Sequence, residues 1–217
     1  MLPADARERF PEGRGSNMRI IVIGATGTIG KAVVAALEGR HEVVQVGHRG
    51  GEYQVDIASK ESVEQLFQTV GPFDALVSAA GMAKFGPLDG LSDADFQFSL
   101  SHKLMGQVNL VRCGLAHVRD NGSFTLTSGV LANEPTPGSA AISLVNAGIE
   151  GFARAADLEA GRGIRVNVVS PPWVSETLEA MGREGSGGLP AAKVARAYVE
   201  SVEGRESGEV LDARAFA

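Results

Sequence analysis

The sequence predicts a doubly wound α/β fold, in which one parallel sheet carries helices on both faces within a single domain. Three observations predict it. Short β-branched runs, starting with Arg19–Ile23 (RIIVI), alternate with amphipathic helical stretches along nearly the whole chain. Strand, helix and strand in that order imply parallel strands joined by right-handed crossovers. A run of spaced glycines, Gly24-Ala25-Thr26-Gly27-Thr28-Ile29-Gly30, lies between the first strand and the first helix.

Each element follows from local pattern. Arg19–Ile23 reads as a strand buried on both faces. Lys31–Glu38 reads as a helix whose apolar face is Val33, Val34 and Leu37. Glu42–Val46 is a second strand, closed by Gly47, and Tyr53–Ile57 a short third. Lys60–Val70 is an amphipathic helix with Val63, Leu66, Phe67 and Val70 on one side. Phe73–Ser78 is a strand. Ser92 caps a long helix that runs toward Val118, with acids in its first turn. Ser123–Thr127, Ile164–Val169 and Glu209–Leu211 complete the strands; Ser139–Ala160 and Ala191–Val202 complete the helices. The pattern holds no repeat and no second domain. Residues 1–17 are polar and rich in proline and glycine, so they read as a disordered tail ahead of one folded domain over 18–217.

The chain has 217 residues, 44% hydrophobic and 21% charged, which suits one globular core. A net charge of −6 argues against a nucleic-acid surface. No apolar run is long enough to span a bilayer. One cysteine, Cys113, leaves no internal disulfide, so a cytoplasmic setting is expected. No metal-ligating cluster stands out.

Glycines between a strand and a helix let the backbone turn tightly and approach a pyrophosphate, which then rests on the helix N-terminal amides. The expectation is a Rossmann-like dinucleotide site at Gly24, Thr26, Gly27, Thr28, Ile29 and Gly30. The second strand ends in Gly47-His48-Arg49-Gly50-Gly51, with no acid before Glu52. An acid there would bond a ribose 2′-hydroxyl, whereas a guanidinium suits a 2′-phosphate. Arg49, assisted by His48, therefore points to NADP in preference to NAD.

These segments together resemble the short-chain dehydrogenase/reductase family. The resemblance runs from Met18 to about Asp212. It implies that Asp56 and Ile57 lie beside the adenine. Ser78-Ala79-Ala80-Gly81 stands where the family has Asn-Asn-Ala-Gly, which places Ala79, Ala80 and Gly81 beside the adenine ribose. Ser170-Pro171-Pro172-Trp173-Val174 matches the family's Pro-Gly segment, with Pro171 and Val174 along the nicotinamide. Pro172 replaces the usual glycine.

The departures fall on the reaction side. The family sets a serine about thirteen residues ahead of a Tyr-x-x-x-Lys; Ser128 is the serine here, but Ile142 takes the tyrosine position and Asn146 the lysine position. Asn146 could still bond the ribose, and Ser128 could polarise a carbonyl. Lys103 stands at the family's relay asparagine, three residues before Gly106, and is a candidate replacement acid, with His102 beside it. The other tyrosines do not substitute: Tyr53 is on the adenine side and Tyr198 is phased as core. Two main readings follow. One is an NADP(H)-dependent oxidoreductase of a small carbonyl or alcohol, with an atypical site; the other is a non-catalytic NADP(H)-binding sensor or partner-binding protein. An isomerase or lyase is a third. The small and apolar residues around the Ser139–Ala160 helix suggest a homodimer or homotetramer.

Overall fold

A computed structural model describes residues 17–217; apart from Asn17, the expected tail lies outside the described residues. Seven parallel strands form one sheet in the order β3-β2-β1-β4-β5-β6-β7. They are β1 (Arg19–Ile23), β2 (Glu42–Gly47), β3 (Tyr53–Gln54), β4 (Phe73–Ser78), β5 (Val118–Thr127), β6 (Arg165–Ser170) and β7 (Val210–Asp212). The helices are α1 (Thr28–Leu37), α2 (Lys60–Val70), α3 (Asp93–Ser99), α4 (Gly106–Gly114), α5 (Ala140–Glu159), α6 (Ser175–Ala180) and α7 (Ala191–Glu203).

The central strands are apolar on both sides because both faces are covered. In β1, Ile21 and Ile23 face the cluster formed with Phe67, Leu110 and Ile149, while Ile20 and Val22 face Val33, Val194 and Tyr198. This is the period-2 alternation of a pleated strand, with hydrophobic residues demanded on either face. Chain order reverses between β1 and β4, so a crevice opens at their carboxyl ends.

The differences from expectation are local. The first helix starts at Thr28, three residues early, because Gly27 already serves as its N-cap. The third strand keeps only Tyr53–Gln54; Asp56 leaves the ladder and accepts a bond from the Ala58 amide, forming a turn into α2. β5 begins at Val118, paired to Phe73, with a register shift before Ala75. The long helix after Ser92 ends at Gly114, and a π-helical turn over Leu100–Met105 separates α3 from α4. Ser92 caps its start as expected, through a reciprocal box with Asp95.

A buried polar chain ties α7 to the sheet edge. Tyr198 is fully buried, and its hydroxyl lies 2.6 Å from Thr127 Oγ1, which donates in turn to the Ser78 carbonyl. Burial pushes the Tyr198 phenol up, out of the titrating range of neutral solution. Tyr198 is thus core, as its phase implies. Removing only its hydroxyl leaves Thr127 with the Ser78 bond. Tyr198→Phe should therefore cost about 1 kcal/mol in a urea melt, and Tyr198→Ala about 3–5 kcal/mol; equal losses would show that the ring packing is unimportant.

Candidate active site

The crevice is shaped by close backbone approach. Gly24 has φ +82°, a left-handed value, and a Cβ there would lie 2.6 Å from the Ala79 carbonyl oxygen. A Cβ on Gly30 would lie 1.9 Å from the Gly24 carbonyl oxygen, so α1 can begin flush against β1 only with glycine there. Gly27 caps α1 with no side-chain hydrogen bond, and Thr26, Gly27 and Thr28 are exposed. The amides at that end of α1 thus face the crevice mouth without a capping side chain, an arrangement suited to an anion. The Ala79 amide donates to the Ile23 carbonyl at 2.9 Å, which holds Ala79-Ala80-Gly81 beside the glycine turn.

After β2, His48 and Arg49 are exposed, and among the described residues Arg49 has no ion pair. Glu52 turns back and accepts from the Gln45 amide at 3.4 Å. The first acid after β2 therefore points into its own hairpin-like bend, leaving Arg49 as the charged group at the strand end. Asp56 accepts from Ala58, and its own amide donates to Ser62 Oγ at 3.0 Å, so Asp56 and Ile57 form a fixed corner ahead of α2.

On the reaction side, the π-helical turn places Lys103 inward. Its Nζ donates to the Ser128 carbonyl at 3.2 Å, and the residue is 9% exposed. Burial pushes its pKa down to about 8. His102 instead lies against the Phe98 ring, with centroids 4.2 Å apart, so it is less suited than Lys103 to the role of acid. Asn146 Nδ2 donates to the Gly129 carbonyl at 3.4 Å, and Asn146 Oδ1 is buried without a donor among the described residues. Lys103 and Asn146 therefore hold successive carbonyls of one turn, and each keeps bonding capacity unused. Pro171, just after β6, is tied to that turn, its carbonyl accepting from the Val130 amide at 3.0 Å, and Val174 leads into α6.

Ser128 does not join them. Its hydroxyl donates to Glu150 Oε1 at 2.9 Å, in a buried pair that Asn133 also approaches at 3.4 Å. This geometry speaks against Ser128 as the group that polarises a carbonyl. The residue turned toward Asn146 is Gly129, where a Cβ would lie 3.0 Å from Nδ2. Gly129 is also the residue thirteen before Ile142, and Ser128 is fourteen before it. The thirteen-residue spacing of the resemblance therefore falls on Gly129 and not on Ser128, and Lys103 is an ionisable side chain bonded to this turn. Two residues went unnoticed in the sequence. Gln107 grips both the amide and the carbonyl of Thr127 at 2.8 Å, and Glu150 receives Ser128. A polar residue amid an apolar helix face was the available signal for both.

The comparisons agree with this architecture. A family model described as enoyl-(acyl carrier protein) reductase matches residues 20–212. Hydroxynaphthalene reductase arp2 of Aspergillus fumigatus is 29% identical over 76% of this chain and 63% of its own length. The 2,3-dihydro-2,3-dihydroxybenzoate dehydrogenase of Escherichia coli is 31% identical over 65% of this chain and 66% of its own. The chain thus spans somewhat under two thirds of the length of these two relatives. Among solved structures, the protein lin1944 from Listeria innocua is 41% identical, with a TM-score of 0.86 over 90% of this chain and 98% of that one. A small-chain dehydrogenase in complex with NADPH is 26% identical, with a TM-score of 0.80 over 91% and 96%. The chain belongs to the short-chain dehydrogenase/reductase family.

Proposed function

We propose that the protein is an NADP(H)-dependent oxidoreductase of a small carbonyl or alcohol, with Lys103 in place of the family's tyrosine as proton donor. The observation that carries this reading is the buried Lys103 ammonium, which donates to the Ser128 carbonyl and packs against Gly81. The crevice fits a dinucleotide: Gly24, Thr26, Gly27, Thr28, Ile29 and Gly30 would hold the diphosphate, and Arg49 with His48 a 2′-phosphate. Asp56, Ile57, Ala79, Ala80 and Gly81 would line the adenosine, and Asn146, Pro171 and Val174 the nicotinamide end. The unsatisfied Asn146 Oδ1 calls for a donor such as a ribose hydroxyl. The bound group would supply the hydride, and NADPH-bound neighbours of this fold support that choice. Lys103 would hold a proton at Nζ and pass it to the substrate oxygen. Desolvation makes the ammonium a better acid than a surface lysine, since its charged form is disfavoured.

A second reading, a non-catalytic NADP(H)-binding protein, draws support from Ile142, Gly129 and the diversion of Ser128 to Glu150. Both readings require the cofactor, so binding comes first. NADPH should bind at least about tenfold more tightly than NADH, and Arg49→Gln should erase most of that difference, as read by cofactor fluorescence; equal affinities in the parent chain would remove the case for NADP.

Lys103 separates the two readings. If it is the acid, NADPH oxidation by carbonyl compounds should decline as pH rises through about 8, and Lys103→Met should lower turnover about a hundredfold or more. Full turnover in Lys103→Met would end that role, and binding without oxidation across a panel of ketones and quinones would favour the sensor. Stability gives an independent readout. The folded pKa lies below the ordinary 10.5, so the unfolded chain binds more protons between about 8 and 10.5. Stability should therefore rise with pH across that window, by on the order of 1–3 kcal/mol, and Lys103→Met should abolish the rise.

Association of copies is the remaining element. Leu144 is 50% exposed and Leu158 87% on α5, and Met105 is 41% exposed at the start of α4. An apolar face of this kind favours self-pairing. Sedimentation at micromolar concentration should give a homodimer or homotetramer, and Leu144→Glu with Leu158→Glu should shift it to monomer; a monomeric parent chain would contradict this.

A further inference from the structure

We infer that the mouth of the site selects a planar aromatic carbonyl compound, with Phe85 and Trp173 as the residues that recognise its ring. The inference rests on the oxidoreductase reading and goes on to the substrate class, which that reading leaves open.

Two segments rise from the carboxyl edge of the sheet, one after β4 and one after β6. Phe85 on the first and Trp173 on the second meet edge to face, with centroids 6.3 Å apart and planes at 68°. β5 lies between those two strands, so the contact crosses above the carboxyl end of β5, where Ser128 and Gly129 lie. Phe85 is fixed from a third side. Gly86 donates to the Gly138 carbonyl at 2.9 Å, and a Cβ on Gly138 would come within 2.9 Å of Phe85 Cε1. Gly138 therefore makes room for the ring at the entrance to α5, the helix that carries Ile142 and Asn146. The Arg183 guanidinium lies over Trp173 at 5.8 Å, which holds that ring's plane.

Lys103 lies at that same strand end, its Nζ donating to the Ser128 carbonyl at 3.2 Å. A Cβ on Gly81 would lie 3.0 Å from Lys103 Cγ, and Met82 follows directly. Met82 is 59% exposed and Phe85 52%, so this segment is more apolar than solvent alone would favour. Methionines adapt to aromatic surfaces, and an edge-to-face pair presents a ring face of defined direction. A saturated substrate would gain burial here but nothing from the ring orientation. A flat aromatic ketone or quinone gains both, with its carbonyl directed inward to the proton at Lys103.

Trp173 is the only tryptophan, so its emission reports this mouth alone. The full-length chain, with NADP+ present, would be titrated with 2-acetonaphthone and with its saturated counterpart, 2-acetyldecalin. The aromatic ketone should quench saturably and bind about tenfold more tightly than the saturated one. Phe85→Leu, which keeps apolar bulk, and Phe85→Ala should each weaken the aromatic ketone about five- to tenfold while leaving NADPH affinity unchanged. Equal binding of the two ketones, no saturable quenching, or an unaltered Phe85→Leu would overturn the inference. So would emission that follows protein concentration alone, since the rim would then be a contact between copies. Loss of NADPH binding with aromatic selectivity intact would instead count against the cofactor reading.

Discussion

The site depends first on the contact of β1 with β4 at the reversal of chain order. Gly24 lies where any side chain would strike the Ala79 carbonyl, and Gly30 lies where any side chain would strike Gly24 itself. These two approaches bring the start of α1 and the end of β4 to the same small volume. No longer-range interaction is needed to form the crevice, because the parallel sheet with right-handed crossovers delivers both strand ends to one edge. What the glycines add is proximity: amides without a capping side chain, close enough to the opening for an anion to reach them.

The reaction side obeys a different constraint, the cost of a buried charge. A lysine in this position loses hydration, and the Ser128 carbonyl returns one hydrogen bond. The compensation is incomplete, and the pKa falls accordingly. Lys103 is the buried residue of the π-helical turn over Leu100–Met105. Such turns recur at functional positions. In the Ser128–Glu150 pair, by contrast, a buried carboxyl group is met by the hydroxyl.

The glycine turn, the strand order and the absence of tyrosine and lysine at 142 and 146 were all readable in the chain, because each depends on residue type at a fixed spacing. Lys103 was readable as a position, counted back from Gly106, but its burial was not, since a helical pattern gives no warning of a π-helical turn. The direction of Ser128 was also beyond sequence. One residue of offset between Ser128 and Gly129 reverses which side of the strand end a side chain faces, and Gly129 has no side chain to announce itself. Gln107 and Glu150 escaped because a polar residue on an apolar face has no visible partner until the fold supplies one. Phe85 and Trp173 are far apart in the chain, and only the shared carboxyl edge brings their rings together.

The central claim is that a dinucleotide diphosphate rests on the amides around Gly27. Amide hydrogen exchange, followed by mass spectrometry with and without saturating NADP+, tests it most directly. The account predicts slowed exchange over Thr26–Gly30, next around His48–Arg49, and little change at the far end of the sheet near residues 161–164. Unaltered exchange at Thr26–Gly30 under saturating nucleotide would contradict it.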